Sequence, residues 1–419
     1  MYLPAVNEVN MNKLVIVGGG AAGMLAALAA SAAGAQVMIC ERNRSLGRKL
    51  ALTGKGRCNL TNACSVEECI NNFPGNGRFL YSALHNFSPG HCREFFTELG
   101  VPLKVERGRR VFPVSDKSAD IIEALRRRLQ RQEVEIRYET RVLDLWAENG
   151  RIKGVKLAGE NLAADSVIVA TGGLSYPATG STGDGYAWAR RLGHSLIATR
   201  PSLVPLETAE AWSWTLSGLT LRNVKVTAWR QDRELGSEFG EMLFTHWGVS
   251  GPLILSLSRL FSADNPGELS IDLKPALSPE QLEARLQRDL LKFSRKHFAN
   301  CLHELLPAAL IPVVIDLCGI PGDKPANQVT KKERQALAGI LRHLPLTITS
   351  LRPMSEAVIT AGGVSTKEID PKTMASKLIK GLYFAGEIID IDGYTGGYNL
   401  QAAFATGWTA GMAAIGNSL

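Results

Sequence analysis

The chain has 419 residues, enough for two or three domains and a sizeable core. Its 45% hydrophobic and 21% charged residues are ordinary for a soluble globular protein, and no low-complexity tract or fixed-period repeat is present. The net charge of +7 favours a polyanionic partner without requiring one; seven scattered cysteines, with no pair at zinc-ligand spacing backed by a second, argue against a metal site and for reduced thiols in the cytoplasm.

Residues 1 to 12 read as a loose leader, with Met11 an alternative start. Asn7, Glu8 and Asn10 stand where an apolar signal core would lie, so no secretory signal is expected. Leu14 to Val17 is a short apolar run, the pattern of a buried strand. Gly18, Gly20 and Gly23 follow in G-x-G-x-x-G spacing, and an Ala-rich helix runs to about Ala33. Gly34 ends it, Gln36 to Cys40 forms a second strand, and Glu41 closes that strand. Gly18 permits the tight turn, Gly20 admits a pyrophosphate close to the backbone, and Gly23 lets helix pack on strand. The phosphates then face unpaired N–H groups at a helix N-terminus, and Glu41 can accept from a ribose hydroxyl pair. Strand, glycines, helix, strand and acid in this order form a dinucleotide-binding motif. The Ala-rich helix is too short to span a bilayer, so no membrane partner is expected.

Residues 41 to 62 carry Arg42, Arg44, Arg48, Lys49, Lys55 and Arg57 among glycines and polar amides. They read as a long functional loop folded back along a phosphate-bearing cofactor. Residues 76 to 131 read mainly as helices around a loop at GRRVFPVSDKS, with Ala119 to Gln130 a helix bearing Arg126, Arg127, Arg128 and a following Arg131. That basic face is expected to be solvated rather than a ligand site. Strands follow at Glu135 to Tyr138 and Arg141 to Trp146; Asn149-Gly150 turns into a partner strand at Arg151 to Leu157. Ser166 to Ala170 is another buried strand, ending in Thr171-Gly172-Gly173.

From about His194 the pattern shifts. Val224, Val226 and Ala228 alternate against Lys225 and Thr227, so residues 195 to 275 predict a mostly antiparallel second domain. Ser278-Pro279-Glu280-Gln281 is a helix start with a capping box. An all-α insert with a basic surface follows to about Leu344. Strands return at Val358 to Thr360 and Leu382 to Phe384, and a glycine turn enters a final Ala-rich helix. The first domain is therefore interrupted and completed late in the chain.

That split points to FAD rather than NAD. Val167 to Gly173 ends a strand in small residues that can pass close to a cofactor. Glu387, in Tyr383-Phe384-Ala385-Gly386-Glu387, can hold a ribitol chain. The helix start at Gly396-Gly397-Tyr398-Asn399 can face the flavin's pyrimidine edge, where it would stabilise reduced flavin. No second complete glycine motif follows a strand, so NADPH or NADH is expected only as a transient electron donor.

The stretches GRKLALTGKGRCNLTN (47–62), RRVFPVSDKS (109–118), TGGLSYPATGSTGDGYAWA (171–189), MLFTHWGVSGPLIL (242–255) and GLYFAGEIIDIDGYTGGYNLQAAFATG (381–407) together resemble the bacterial BaiN/RdsA-like flavoproteins, also labelled aminoacetone-oxidase-family FAD-binding enzymes, from Lys13 onward. The resemblance implies an α/β fold: a Rossmann-like FAD-binding domain of the GR2 type interrupted by a small β-barrel and an all-α insert. The expected boundaries are 12–194 with 350–419, 195–277 with about 335–350, and 278–334. It implies FAD contacts at Gly18, Gly20, Ala22, Gly23, Glu41, Arg48, Lys49, Asn59, Thr171, Gly172, Gly386, Glu387, Gly397, Tyr398 and Asn399. Lys55 departs from the glycine that many relatives carry. The family implies three chemistries: reduction of a uridine C5–C6 bond in large-subunit ribosomal RNA, reduction of a steroid ring, and amine oxidation. The first is favoured by the net charge, the basic loop and the basic insert. It needs a protein acid at C5, for which Cys58, beside Arg57, and His246, in Phe244-Thr245-His246-Trp247, are the candidates.

Overall fold

Five short parallel strands organise the first part of the fold. In the computed structural model, which describes residues 12–262 and 266–416, Lys13–Val17 sits at the centre of a parallel sheet. Gln36–Cys40 and then Glu135–Arg137 lie to one side, Ser166–Val169 and then Leu382–Phe384 to the other. Ile16 pairs with Ile39 on one side and Ile168 on the other. Leu14 to Val17 and Val167 to Val169 are buried, as a parallel sheet covered on both faces requires. The leader expected over residues 1 to 12 lies, up to Met11, outside the described residues.

Two helices meet on this sheet. Ala21–Ala32 links the first two strands, and Tyr398–Gly416 packs along it. Their seam is made of small residues: a methyl at Gly407 would stand 2.2 Å from the Ala22 carbonyl oxygen, and one at Gly411 would stand 2.3 Å from that of Ala26. Asn12 Nδ2 also donates to the Ile415 carbonyl at 3.2 Å, tying the first strand's approach to the end of the last helix.

Two expectations are corrected here. The basic stretch after Glu41 is not all loop: Arg48–Leu52 is helical and Thr53–Gly56 continues as a 3-10 turn. Arg-Lys-Leu-Ala-Leu is a run of good helix formers, and Gly47 at φ 68 turns the chain into it. The GRRVFP segment is strand, not loop: Arg110–Pro113 pairs antiparallel with Leu103–Glu106 and with Thr61–Asn62. Gly108 at φ 73 makes the turn, and Val105 opposite Val111 supplies β-forming side chains.

The described chain divides into two units, one of residues up to Arg200 with those from Val358 onward, the other Pro201–Ala357. The first unit extends past His194 because the strand starting at Leu196 pairs with Ile359–Val364.

The second unit is a closed antiparallel barrel in the order Leu206–Thr208, Gly248–Ser250, Arg233–Thr245, Thr220–Arg230, Glu268–Asp272, Leu344–Leu351. Val224, Val226 and Ala228 point inward with Met242, Phe244, Ile271 and Ile348. Helices Pro279–Lys292, Ile311–Cys318 and Lys331–Arg342 share that apolar core through Leu282, Leu286, Val314, Leu337 and Leu341. Barrel and helices are thus one body. The last helix runs past residue 334 because Leu337 and Leu341, four apart, continue its buried stripe. Ser278 caps the first of these helices in a complete capping box with Gln281.

Candidate functional site

A cleft of about 200 Å³ opens in the first unit, its lining running from the glycine turn at Gly18 past Glu41 to Glu387 and Asn399. It suits an elongated ligand. Its floor is the first glycine turn. Gly18 has φ 106, and a methyl there would meet the Ala170 carbonyl oxygen at 2.6 Å; a methyl on Gly23 would meet the Gly18 carbonyl oxygen at 1.9 Å. Nothing lies within 4 Å of the corresponding point on Gly20, so that glycine faces open space at the start of Ala21–Ala32. Ala21 and Ala22, on the cleft wall, present first-turn N–H groups without intrahelical partners.

Glu41 is 7% exposed and lines the same cleft. Gly19 N donates to Oε2 at 2.8 Å, and Asn43 donates to Oε1 from its backbone at 2.8 Å and its side chain at 2.6 Å. A carboxylate offers about four acceptor sites, so Oε2 keeps one for a ligand hydroxyl. Arg48 Nη1 donates to Asn43 Oδ1 at 2.8 Å, which aligns Arg48, Asn43 and Glu41 along one edge.

A second polar cluster sits around Glu387. Lys49 Nζ donates to Glu387 Oε2 at 2.5 Å and to Ser175 Oγ at 2.6 Å. Ser175 Oγ and Thr360 N both donate to Glu387 Oε1 at 2.8 Å. Thr360 Oγ1 in turn accepts from Leu174 N and Ser175 N. Three protein donors therefore fix Glu387, and the carboxylate in turn holds Lys49. Thr171 Oγ1, on the cleft wall, is buried without a hydrogen-bond partner. An orphaned hydroxyl, an open glycine, free helix amides and a ribose-ready carboxylate in one elongated cleft are a set that fits FAD.

The structure brings Gly18, Gly20, Ala22, Glu41, Arg48, Lys49, Thr171, Gly172, Gly386, Glu387 and Asn399 onto this cleft. Asn399 holds the preceding loop, accepting from Gly393 N at 2.7 Å and donating to the Gly393 carbonyl at 2.9 Å. Gly23, Asn59, Gly397 and Tyr398 stand behind the wall. Gly397, at φ 101, presses on the Thr61 backbone. Asn59 Oδ1 is buried without a partner. Cys58, expected as a proton donor, is fully buried at φ 59 and is not among the residues lining the cleft, and burial pushes its thiol up to about 12. His246 is exposed between strands Arg233–Thr245 and Gly248–Ser250 of the barrel, its ring against Trp247.

Sequence reasoning missed Asn43, Ser175 and Thr360. Asn43 carried a signal, being two residues past the ribose acid, where its backbone and side chain can both reach back to that carboxylate. Ser175 and Thr360 carried none, since they meet Glu387 only through tertiary folding.

The basic loop also reads differently in place. Arg42 pairs with Asp184, Arg44 with Glu139, Lys49 with Glu387, and Arg57 with Glu106 and Asp116. Among the described residues no helix is long and apolar enough to cross a membrane.

Residues 12–413 match the family described as HI0933-like protein Rossmann domain. The chain is 35% identical over 412 residues to the 3-dehydro-bile acid delta(4,6)-reductase of Clostridium scindens, covering 96% of this chain and 99% of that one. It is 32% identical over 408 residues to the ribosomal RNA dihydrouridine synthase of Escherichia coli, covering 94% and 96%. The solved 3-ketosteroid-delta4-(5alpha)-dehydrogenase of Rhodococcus jostii RHA1 shares the fold, with a TM-score of 0.53 at 18% identity over 98% of each chain. With the match spanning both units and the cleft, the chain belongs to the HI0933-like family and is built on a Rossmann-like FAD-binding fold.

Proposed function

We propose that this FAD-dependent oxidoreductase reduces the C5–C6 double bond of a uridine in large-subunit ribosomal RNA to dihydrouridine, with NADPH or NADH as a transient electron donor. The observation that carries the reading is likeness, along nearly the whole chain, to two ribosomal RNA dihydrouridine synthases, that of Escherichia coli and, at 30% identity, that of Haemophilus influenzae. The net charge of +7 supports a polyanionic substrate. The basic loop supports it less than its sequence suggested, because four of its six cations are ion-paired within the protein; Arg48 is exposed and bonded to Asn43, and Lys55 is exposed without an ion pair among the described residues.

Bound FAD supplies the hydride-transfer chemistry. The chain's own residues do the rest. The amides of Ala21 and Ala22 hold the diphosphate, Glu41 orients the adenosine ribose, and Thr171 Oγ1 binds a polar group on the ligand. Glu387 and Ser175 hold the Lys49 ammonium against the cleft wall. Of the two candidate carbon acids, Cys58 has no exposed surface from which to reach a substrate.

The test is the dihydrouridine content of large-subunit ribosomal RNA from a deletion strain. Loss of the base and its restoration by the wild-type gene are expected; its persistence in a strain without a redundant enzyme would overturn the reading. A second reading is favoured by the 35% identity to the bile acid reductase: reduction of a conjugated ring ketone of steroid type. Oxidation of the NADPH-reduced enzyme by such a ketone, but not by a ribosomal RNA transcript, would decide for it.

A further inference from the structure

Two cysteines that the flavin cleft does not use meet at the start of helix Val66–Asn71. Ser65 caps that helix: its Oγ accepts from Glu68 N at 3.1 Å, and Glu68 Oε2 accepts from Ser65 N at 2.9 Å. In such a start, the residue before the cap and the fourth helical residue face each other, the place where an apolar pair usually fixes the entering chain. Here those residues are Cys64 and Cys69. The two thiols are near enough for each to shift the other's proton affinity, with Cys64 half-buried and Cys69 buried. Cys69 N donates to the Ser65 carbonyl at 3.0 Å, which fixes the turn. Arg109 forks onto Glu68 at 2.9 and 3.0 Å and is close enough to Cys64 for each to feel the other's charge.

We propose that Cys64 and Cys69 form a reversible redox dithiol, closed to a disulfide by a low-molecular-weight disulfide such as oxidised glutathione. Cys64 is the attacking sulfur because it alone of the two reaches solvent. The neighbouring Cys69 thiol, aided by Arg109, draws the Cys64 thiol below the ordinary range, while the Cys64 thiol and burial push Cys69 up. The Cys64 thiolate attacks one sulfur of the oxidant, forming a mixed disulfide and releasing one thiolate. Cys69 then loses its proton and attacks the Cys64 sulfur, releasing the second thiolate. The two cysteines are oxidised by two electrons, and one glutathione disulfide becomes two thiols. In a reducing compartment such a bond is transient, which suits a sensor rather than a structural brace.

The test uses the full flavin-loaded chain, oxidised glutathione and mass spectrometry. Cleavage after Glu67 and Glu68 falls between the two cysteines, so linked fragments stay together until a reductant is added. The expected result is loss of two hydrogens, fragments joined through Cys64 and Cys69, and no retained glutathione. Cys69→Ser should stop at a glutathione adduct on Cys64, and Cys64→Ser should take up none. A persistent adduct on wild-type Cys64, a link to Cys58, or no reaction at all would each overturn the proposal. The wild-type result decides the question even if a variant fails to fold.

Discussion

Replacing Gly407 with alanine tests the seam on which the cleft is built. Two effects oppose each other. Alanine in a helix interior is favoured over glycine by about 1 kcal/mol. Against that, the new methyl would stand 2.2 Å from the Ala22 carbonyl oxygen. A backbone carbonyl in a neighbouring helix cannot rotate away, so the helices must part by about 1 Å, and overpacking of this kind costs about 1–3 kcal/mol. The severity of the approach puts Gly407→Ala at or slightly beyond the upper end, for a net loss of about 2 kcal/mol, or roughly 4–8 °C in Tm. Because Ala22 lines the cleft, flavin affinity should fall with stability. The assay is urea denaturation with and without excess FAD, with Gly339→Ala as the control. Gly339 lies in helix Lys331–Arg342 with nothing within 4 Å of a new methyl, so that change should be neutral to stabilising by up to about 1 kcal/mol. If Gly407→Ala is stabilised like the control, the two helices are not in the contact described.

Glu41→Gln places an amide where Gly19 N and Asn43 both donate; losing charge-assisted bonds at about 1.5–3 kcal/mol each should weaken FAD binding roughly 10- to 100-fold by fluorescence titration, and an unchanged Kd would refute the ribose role. Lys49→Met strands the Glu387 carboxylate; the pair is partly exposed, at 24% and 14%, so the cost falls from the roughly 3–5 kcal/mol of a fully buried pair to about 2 kcal/mol. Lys49→Met with Glu387→Gln should recover most of that loss in the same denaturation assay, and simple additivity would sink the claim of a coupled cluster. Glu333 is held down to about 2, first by its hydrogen bond from Lys324 and then by the Thr330 backbone N–H. A lowered folded value stabilises above the unfolded value and is lost as pH falls through the folded one, so the gap between wild type and Glu333→Gln should be full at neutral pH and close between about 4.5 and 2. Cys58→Ala should lower stability by about 1 kcal/mol through a small cavity while leaving turnover intact; a loss of turnover without loss of bound flavin would restore Cys58 as the acid.

The glycine turn, the paired strands and the place of Glu41 on the cleft were legible because each rests on local rules: spacing of glycines, runs of apolar residues, and one acid at the end of a strand. The interruption was legible too, since alternation at Val224, Val226 and Ala228 does not fit a parallel sheet. What sequence could not convey was partnership. The cations of the basic loop look free in a linear string, yet Arg57 and Arg42 are neutralised by acids about 50 and 140 residues away. Arg48–Leu52 was hidden by flanking glycines that mark a loop in composition but serve as its entry turn. Cys58 looked reactive beside an arginine, and only packing reveals that its thiol is sealed.

The strand order carries a consequence for synthesis. Leu382–Phe384 and Tyr398–Gly416 close a sheet whose centre was made some 370 residues earlier. Between the two halves the ribosome must deliver roughly 160 residues of the other unit, which at about 5–20 residues per second takes roughly 10–30 s. Throughout that interval the Ala-rich face of Ala21–Ala32 waits in water without its mate, and no vitamin-derived dye can be gripped. Nascent chains stalled anywhere before Gly407 should therefore be bound by chaperones and stay colourless, however well the barrel behind them has matured.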